Sequence, residues 1–313
     1  MNFKKPLLLI IAIVLTATMV ACSNTANDTD KGEKKEMVTI EHQLGKTQVA
    51  KNPDTIVVFD YATLDSLNQM GVEVDGVVKS TMPEYLEKYN GENYKDIGTL
   101  FEPDFEKIYS MDPDLIIISG RQAEVYDDLE DIAPTIYLAI DNEDYLGSFS
   151  QNLNTLGEIF DKQDFVEEKL VEIEDVVSKV NDKASALDKE VLIVMANDGA
   201  LSAYGVDSRF NVIHQEFGFD PADKNIEVSN HGHNISFEYI VETNPDIMFV
   251  IDRAEITGGS NTAAQILDNE LVEMTSAYQS NDIYYLNAPV WYTAAGGLEG
   301  TNIMIKDVKA ALN

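Results

Sequence analysis

The sequence predicts an α/β chain of two doubly wound halves joined by one long helix, and three observations carry that prediction. Apolar, β-rich runs alternate with helical patterns along the chain. One motif occurs twice, its matched positions 132 residues apart, as from Glu106 to Glu238 and from Arg121 to Arg253. Between the two copies lies an amphipathic stretch whose apolar residues recur at helical spacing.

Taken in order, residues 1–21 read as an export signal. Lys4 and Lys5 form a basic start, and Leu7 to Leu15 is an apolar run too short for a permanent membrane span. Met19-Val20-Ala21-Cys22 follows and resembles a bacterial lipobox, in which Cys22 is acylated and becomes the first mature residue. Cys22 is the only cysteine, which fits an extracytoplasmic protein without disulfides. Residues 22–36 are polar and read as a disordered tether.

The folded part divides into an N-terminal lobe (37–162), a connecting helix (163–187) and a C-terminal lobe (188–313). Continuous apolar runs mark central strands covered on both faces. In the first lobe these are Thr55–Phe59, Leu115–Ile118 and Thr135–Leu138; in the second they are Val191–Met195, Ile247–Ile251 and Ile283–Leu286. Val166, Leu170, Ile173, Val177 and Val180 form the apolar stripe of the connecting helix. Such a helix is about 37 Å long at about 1.5 Å per residue, enough to run past both lobes.

The repeated motif runs Phe105-Glu106-Lys107-Ile108, Pro113-Asp114-Leu115, Ile118 and Arg121; its second copy runs Phe237-Glu238-Tyr239-Ile240, Pro245-Asp246-Ile247, Val250 and Arg253. Each copy reads as helix, Pro-Asp turn and buried strand, with an arginine just past the strand. The chain has 55 acidic and 22 basic residues, a net charge of −33, and only three arginines: Arg121, Arg209 and Arg253. A chain this acidic does not bind nucleic acid through general electrostatics. An anion repelled by the overall field needs local, fixed positive charge, and arginine supplies it in a planar fork of donors. In a doubly wound sheet the ligand crevice lies beyond the carboxyl ends of the strands, where Arg121 and Arg253 fall. Arg209 follows the Tyr204–Ser208 loop.

Tyr204, Trp291 and Tyr292 stand at similar points and are candidates to line a pocket for a flat ring system. His231 and the loop lysine Lys79 are further candidate ligand contacts. His231-Gly232-His233 makes a metal pair only if a third ligand converges, and the spacing of His42 and His214 suggests none, so no metal site is expected. Glu106 and Glu238 admit two readings: negative charge stabilising a helix start, or a pair of carboxylates docking a two-fold partner. No nucleophile elbow, phosphate-binding loop, dinucleotide fingerprint or zinc-protease motif occurs, so no enzyme is expected.

The lipobox, the Asn52-Pro53 opening before Ile56-Val57-Val58, the Glu102–Glu106 segment, the paired Pro-Asp strands and the long helix together resemble the class III substrate-binding proteins of iron–siderophore and vitamin B12 importers. The resemblance extends over residues 37–313. Ile118–Gln122, Val194–Gly199 and Trp291-Tyr292 look most like the petrobactin-type, catecholate-binding lipoproteins of Gram-positive bacteria. It implies the class III periplasmic-binding-protein fold, with two Rossmann-like lobes and modest closure on binding. It implies that Arg121, Arg209 and Arg253 hold an anionic ferric complex, and that Glu106 and Glu238 dock the dimeric permease of an ABC transporter. A ferric tris-catecholate carries three negative charges, matched by three arginines. At an effective dielectric near 20, each close pair contributes a few kcal/mol before desolvation. Iron arrives wrapped in its siderophore, so the protein needs no cofactor and no iron ligand of its own. The expected protein is monomeric and meets the membrane only through its lipid. The alternative ligands are a hydroxamate siderophore, haem or a cobalamin.

Overall fold

In the computed structural model, residues 35–229 and 231–312 are described. The export signal, Cys22 and nearly all of the tether lie outside the described residues. The chain opens with an antiparallel hairpin, β1 (Met37–His42) and β2 (Gly45–Ala50). The first lobe then alternates β3 (Ile56–Val58), α1 (Tyr61–Met70), β4 (Gly76–Val77), β5 (Lys95–Asp96), α2 (Phe105–Met111), β6 (Leu115–Ile118), α3 (Tyr126–Glu130), β7 (Thr135–Tyr137) and α4 (Tyr145–Ile159). Its five strands form a parallel sheet in the order β5-β4-β3-β6-β7. All four residues of β6 are fully buried, as its unbroken apolar run requires.

The long helix α5 spans Gln163–Ala184, three residues shorter at its C-terminus than expected, and is about 33 Å long. Val166, Ile173, Val177 and Val180 are buried and Leu170 is half-buried, as the stripe predicts. The helix packs against α4, and its C-terminal end reaches the second lobe, where Asn181 Nδ2 donates to the Glu216 carbonyl at 2.9 Å.

The second lobe contains β8 (Glu190–Asn197), β9 (Ala200–Tyr204), α6 (Val212–Gln215), β10 (Asp220–Pro221), β11 (His233–Ile235), α7 (Phe237–Thr243), β12 (Ile247–Asp252), α8 (Arg253–Thr257), α9 (Ala263–Leu267), α10 (Ser276–Gln279) and β13 (Ile283–Tyr285). The sheet order is β11-β9-β8-β12-β13, with β10 also beside β8. β12, β13 and β10 run parallel to β8, whereas β9 and β11 form an antiparallel edge. The final helix, α11 (Leu298–Lys309), crosses back to pack on α1 and α5. Residues 298–309, grouped by sequence with the second lobe, therefore lie against the first. There Asp65 of α1 accepts from the Gly300 amide at 2.8 Å, serving the otherwise uncapped start of α11.

The repeated motif is the same structure twice. Asp104 and Ser236 cap α2 and α7. Both helices end on a left-handed residue, Asp112 (φ 50°) and Asn244 (φ 46°), before proline stops the helix. The aspartate of each Pro-Asp turn pins the start of the neighbouring central strand. Asp114 accepts from the amides of Asp54 and Thr55, and Asp246 from that of Glu190. Each strand of the motif then delivers its arginine to the same end of its sheet.

Candidate functional site

Arg121 lies in the turn after β6, Arg253 opens α8 directly after β12, and Arg209 sits in the loop between β9 and α6. They converge on Tyr292. This residue belongs to a π-helical turn, Val290–Ala294, that follows β13. Arg121 Nη2 donates to its carbonyl at 2.8 Å and Arg209 Nη2 donates to the same oxygen at 2.9 Å. One backbone acceptor thus joins a cation of the first lobe to a cation of the second. The Arg209 guanidinium lies 4.3 Å from the Tyr292 ring centroid, and that of Arg253 lies 5.7 Å from it, both within cation–π range. Arg253 Nε is buried without a hydrogen-bond partner among the described residues.

None of the three guanidiniums has a carboxylate within ion-pair distance among the described residues, although the chain carries 55 acids. Burial lowers the pKa of Arg209 and Arg121 lowers it further, against an opposing pull from Tyr292; the group nonetheless stays charged. For Tyr292 the balance is reversed. Burial favours its neutral phenol, but Arg253, Arg209 and Arg121 together outweigh burial and hold the pKa below its ordinary value.

A cavity of about 390 Å³ opens beside these groups, and Arg121, Arg209, Trp291 and Tyr292 are among its lining residues. Beneath Arg209, Tyr204, Phe210 and Trp291 pack edge to face. Tyr204 is buried and its pKa is pushed up to about 12, burial outweighing Arg209 and Arg253. Trp291 is only 1% exposed and its indole N–H donates to Asp307 at 2.9 Å, so it backs the wall as a core residue. The lobes also meet beside Arg209, where Asn211 and Gln215 donate to the carbonyls of Asn142 and Glu143.

Four candidates lie outside this cavity lining: Arg253 and Tyr204, which sit behind it against Tyr292 and Phe210, and Lys79 and His231. Lys79 donates to the Asn90 and Gly91 carbonyls at 3.2 and 2.8 Å, closing off the short helix that precedes them. His231 is exposed in a turn whose Gly232 (φ +75°) abuts the Tyr204 ring, where a Cβ would come within 2.7 Å. Among the described residues, no group of three or more histidine, cysteine or acidic side chains is placed to hold a metal. Glu106 and Glu238 are each the second residue of their helices and are exposed.

Sequence reasoning missed Asp60, Thr63, Tyr137, Tyr145 and Asn152, which also line the cavity. Asp60 had a signal: it stands two residues past β3 and caps α1, accepting from the Thr63 amide at 2.8 Å. Burial raises its carboxyl pKa, with Thr63 and Arg121 opposing.

A two-lobed α/β protein with its crevice at the strand carboxyl ends and cations contributed from both sides is a binding protein of the substrate-receptor class. The chain belongs to the periplasmic binding protein family, whose pattern matches residues 56–290. It is 44% identical to the petrobactin-binding protein YclQ of Bacillus subtilis over 99% of both chains. It is 32% identical to the ferric-anguibactin-binding protein FatB of Vibrio anguillarum over 98% of both. The crystal structure of YclQ superposes with a TM-score of 0.87 at 45% identity, covering 89% of this chain and 99% of that one. That of the catecholate-siderophore-binding protein VctP from Vibrio cholerae gives 0.84 at 38% identity, covering 88% and 100%.

Proposed function

We propose that this protein is a lipid-anchored, extracytoplasmic receptor that binds an anionic ferric catecholate siderophore of the petrobactin type and hands it to an ABC permease for iron uptake. The carrying observation is the arginine triad. Three half-buried guanidiniums are held by a carbonyl and a phenol ring, with no carboxylate within ion-pair distance among the described residues. Such a cluster is electrostatically unfavourable unless an anion completes it. The names of YclQ and VctP support a catecholate complex as that anion.

In this reading the protein binds and releases its cargo unchanged and performs no chemistry on it. Iron stays within its chelate, no protein atom ligates it, and the receptor works as a monomer. Arg121, Arg209 and Arg253 oppose the charge of the complex, and Tyr292 sets their spacing. Glu106 and Glu238 dock the permease dimer, and lipid on Cys22 keeps the receptor at the membrane.

Fluorescence quenching of the chain from residue 23 onward tests the ligand, with ferric petrobactin, ferric bacillibactin, a ferric hydroxamate and haem titrated separately. Saturable binding of the catecholates in the sub-micromolar range (roughly −8 kcal/mol or better), with the hydroxamate and haem far weaker, is expected. Tighter binding of hydroxamate or haem overturns the proposal.

A further inference from the structure

The two most exposed large hydrophobic side chains of the described residues lie on α2 and just before it: Tyr109 is 73% exposed and Phe101 is 70% exposed. A groove of about 480 Å³ is lined by Phe105, Glu106, Tyr109, Asp128 and Ile132. Phe105 and Ile132 are half-buried, and Glu106 and Asp128 are exposed. Glu106 and Tyr109 are three positions apart and so share a helix face. The lysine between them, Lys107, is engaged with Asp104 at 2.9 Å. Phe101 stands on a fixed turn. Thr99 Oγ1 accepts from the amides of Phe101 and Glu102, and Gly98 bridges to Pro103 at φ +110°, where a Cβ would come within 2.4 Å of the Glu102 carbonyl.

The motif's second copy does not repeat this surface. At the same 132-residue offset, Phe237 and Glu238 still stand for Phe105 and Glu106, whereas Val241 stands for Tyr109, Ser260 for Asp128 and Ala264 for Ile132. The paired glutamates are therefore common to both lobes, and the aromatic groove belongs to the first.

We propose that this groove is the anchoring socket for the permease, receiving an apolar side chain that stands beside a cation on the permease's extracellular face. This rests on the receptor reading above. Charge complementarity selects the occupant: carboxylates flank an apolar floor in a chain of net charge −33, so a second copy is repelled and a basic surface is attracted. An apolar anchor in a pocket, surrounded by polar groups that exclude water, is the usual form of an interface hot spot. The groove adds grip on the first lobe.

The test uses the full lipid-anchored chain in cells lacking the native copy, supplied with radiolabelled ferric petrobactin. Tyr109→Ser is expected to reduce uptake about tenfold or more, the scale of a lost hot spot, while its affinity for ferric petrobactin stays at the wild-type value. Val241→Ser, the matched change on the second lobe, is expected to leave uptake at the wild-type rate. Unchanged uptake by Tyr109→Ser overturns the proposal. Glu106→Arg separates the two ideas: if it abolishes uptake while Tyr109→Ser does not, the groove falls and glutamate docking stands; if neither matters, both fall. Sedimentation of the wild-type protein is expected to show a monomer. A dimer that Tyr109→Ser dissociates would assign the groove to a second copy and likewise overturn the proposal.

Discussion

Replacing Arg209 by glutamine removes one cation from the centre of the cleft without orphaning a backbone group. The Tyr292 carbonyl keeps the Arg121 bond at 2.8 Å when the Arg209 bond at 2.9 Å is lost. The stability cost is therefore at most that of one charge-assisted hydrogen bond, about 1.5–3 kcal/mol. The ligand loses more. A unit charge about 5 Å from the complex, at an effective dielectric of about 20, contributes about 3 kcal/mol, or roughly 100-fold in affinity. Arg209→Lys keeps the charge but loses the planar fork and the stacking on Tyr292, so about tenfold is expected. The assay is a fluorescence or calorimetric titration with ferric petrobactin, beside a neutral ferric hydroxamate and a thermal melt of each variant. An unchanged affinity for ferric petrobactin, with a melting temperature lowered by several degrees, would refute the reasoning and leave Arg209 as a structural tie between lobes.

Two other outcomes follow from the titratable groups. Asp65 is fully buried, its Oδ1 has no hydrogen-bond partner, and burial, reinforced by Glu299 against the Gly300 amide, raises its pKa to about 7. An acid whose folded pKa exceeds its unfolded value favours the folded state below the unfolded value and loses that benefit as pH rises through the folded one. Stability should therefore fall between about pH 4 and pH 7, by at most about 4 kcal/mol, and Asp65→Asn should flatten that slope in denaturant melts; an equal slope in both proteins would exclude Asp65 as its cause. Tyr292 should titrate below the ordinary phenol range, because the three arginines outweigh its burial. Ultraviolet difference titration of wild type against Tyr292→Phe reads it, Arg253→Gln should move it upward, and a normal value in the wild type would contradict the described arginine packing.

The arginines were legible because they are rare and because two close copies of one motif, so counting alone set them apart. The Pro-Asp turns were legible because helix stop and strand start are local events. Their purpose was not: Asp114 and Asp246 bind amides far away in sequence, at the starts of the central strands. The same limit explains the side-chain partners that the sequence did not reveal. Past the end of β13, nothing local says that Trp291 turns inward to Asp307 on α11 or that Lys79 spends its charge on the Asn90 and Gly91 carbonyls. Asp60 was hidden by its second task, since a helix cap and a cavity acid look identical in sequence. The return of α11 to the first lobe was invisible for a related reason: the amphipathic pattern of a helix states that it has a partner and not which one.

The choice of partners for the arginines explains how the cleft can serve an anion at all. An arginine already paired with a carboxylate offers little net charge, and an incoming anion would first have to break that pair or be repelled by it. In this cleft the partners are neutral or nearly so: one carbonyl shared by Arg121 and Arg209, and the ring of Tyr292 facing Arg209 and Arg253. They fix the geometry while leaving the charge unsatisfied. Burial chiefly, with Arg121 adding to it, lowers the pKa of Arg209, and the three cations together acidify the phenol of Tyr292. The proposed anion would offset the repulsion among these three cations. The net charge of −33 then acts at longer range, where salt screens it within about 10 Å, while the half-buried triad acts at contact, where screening is weaker.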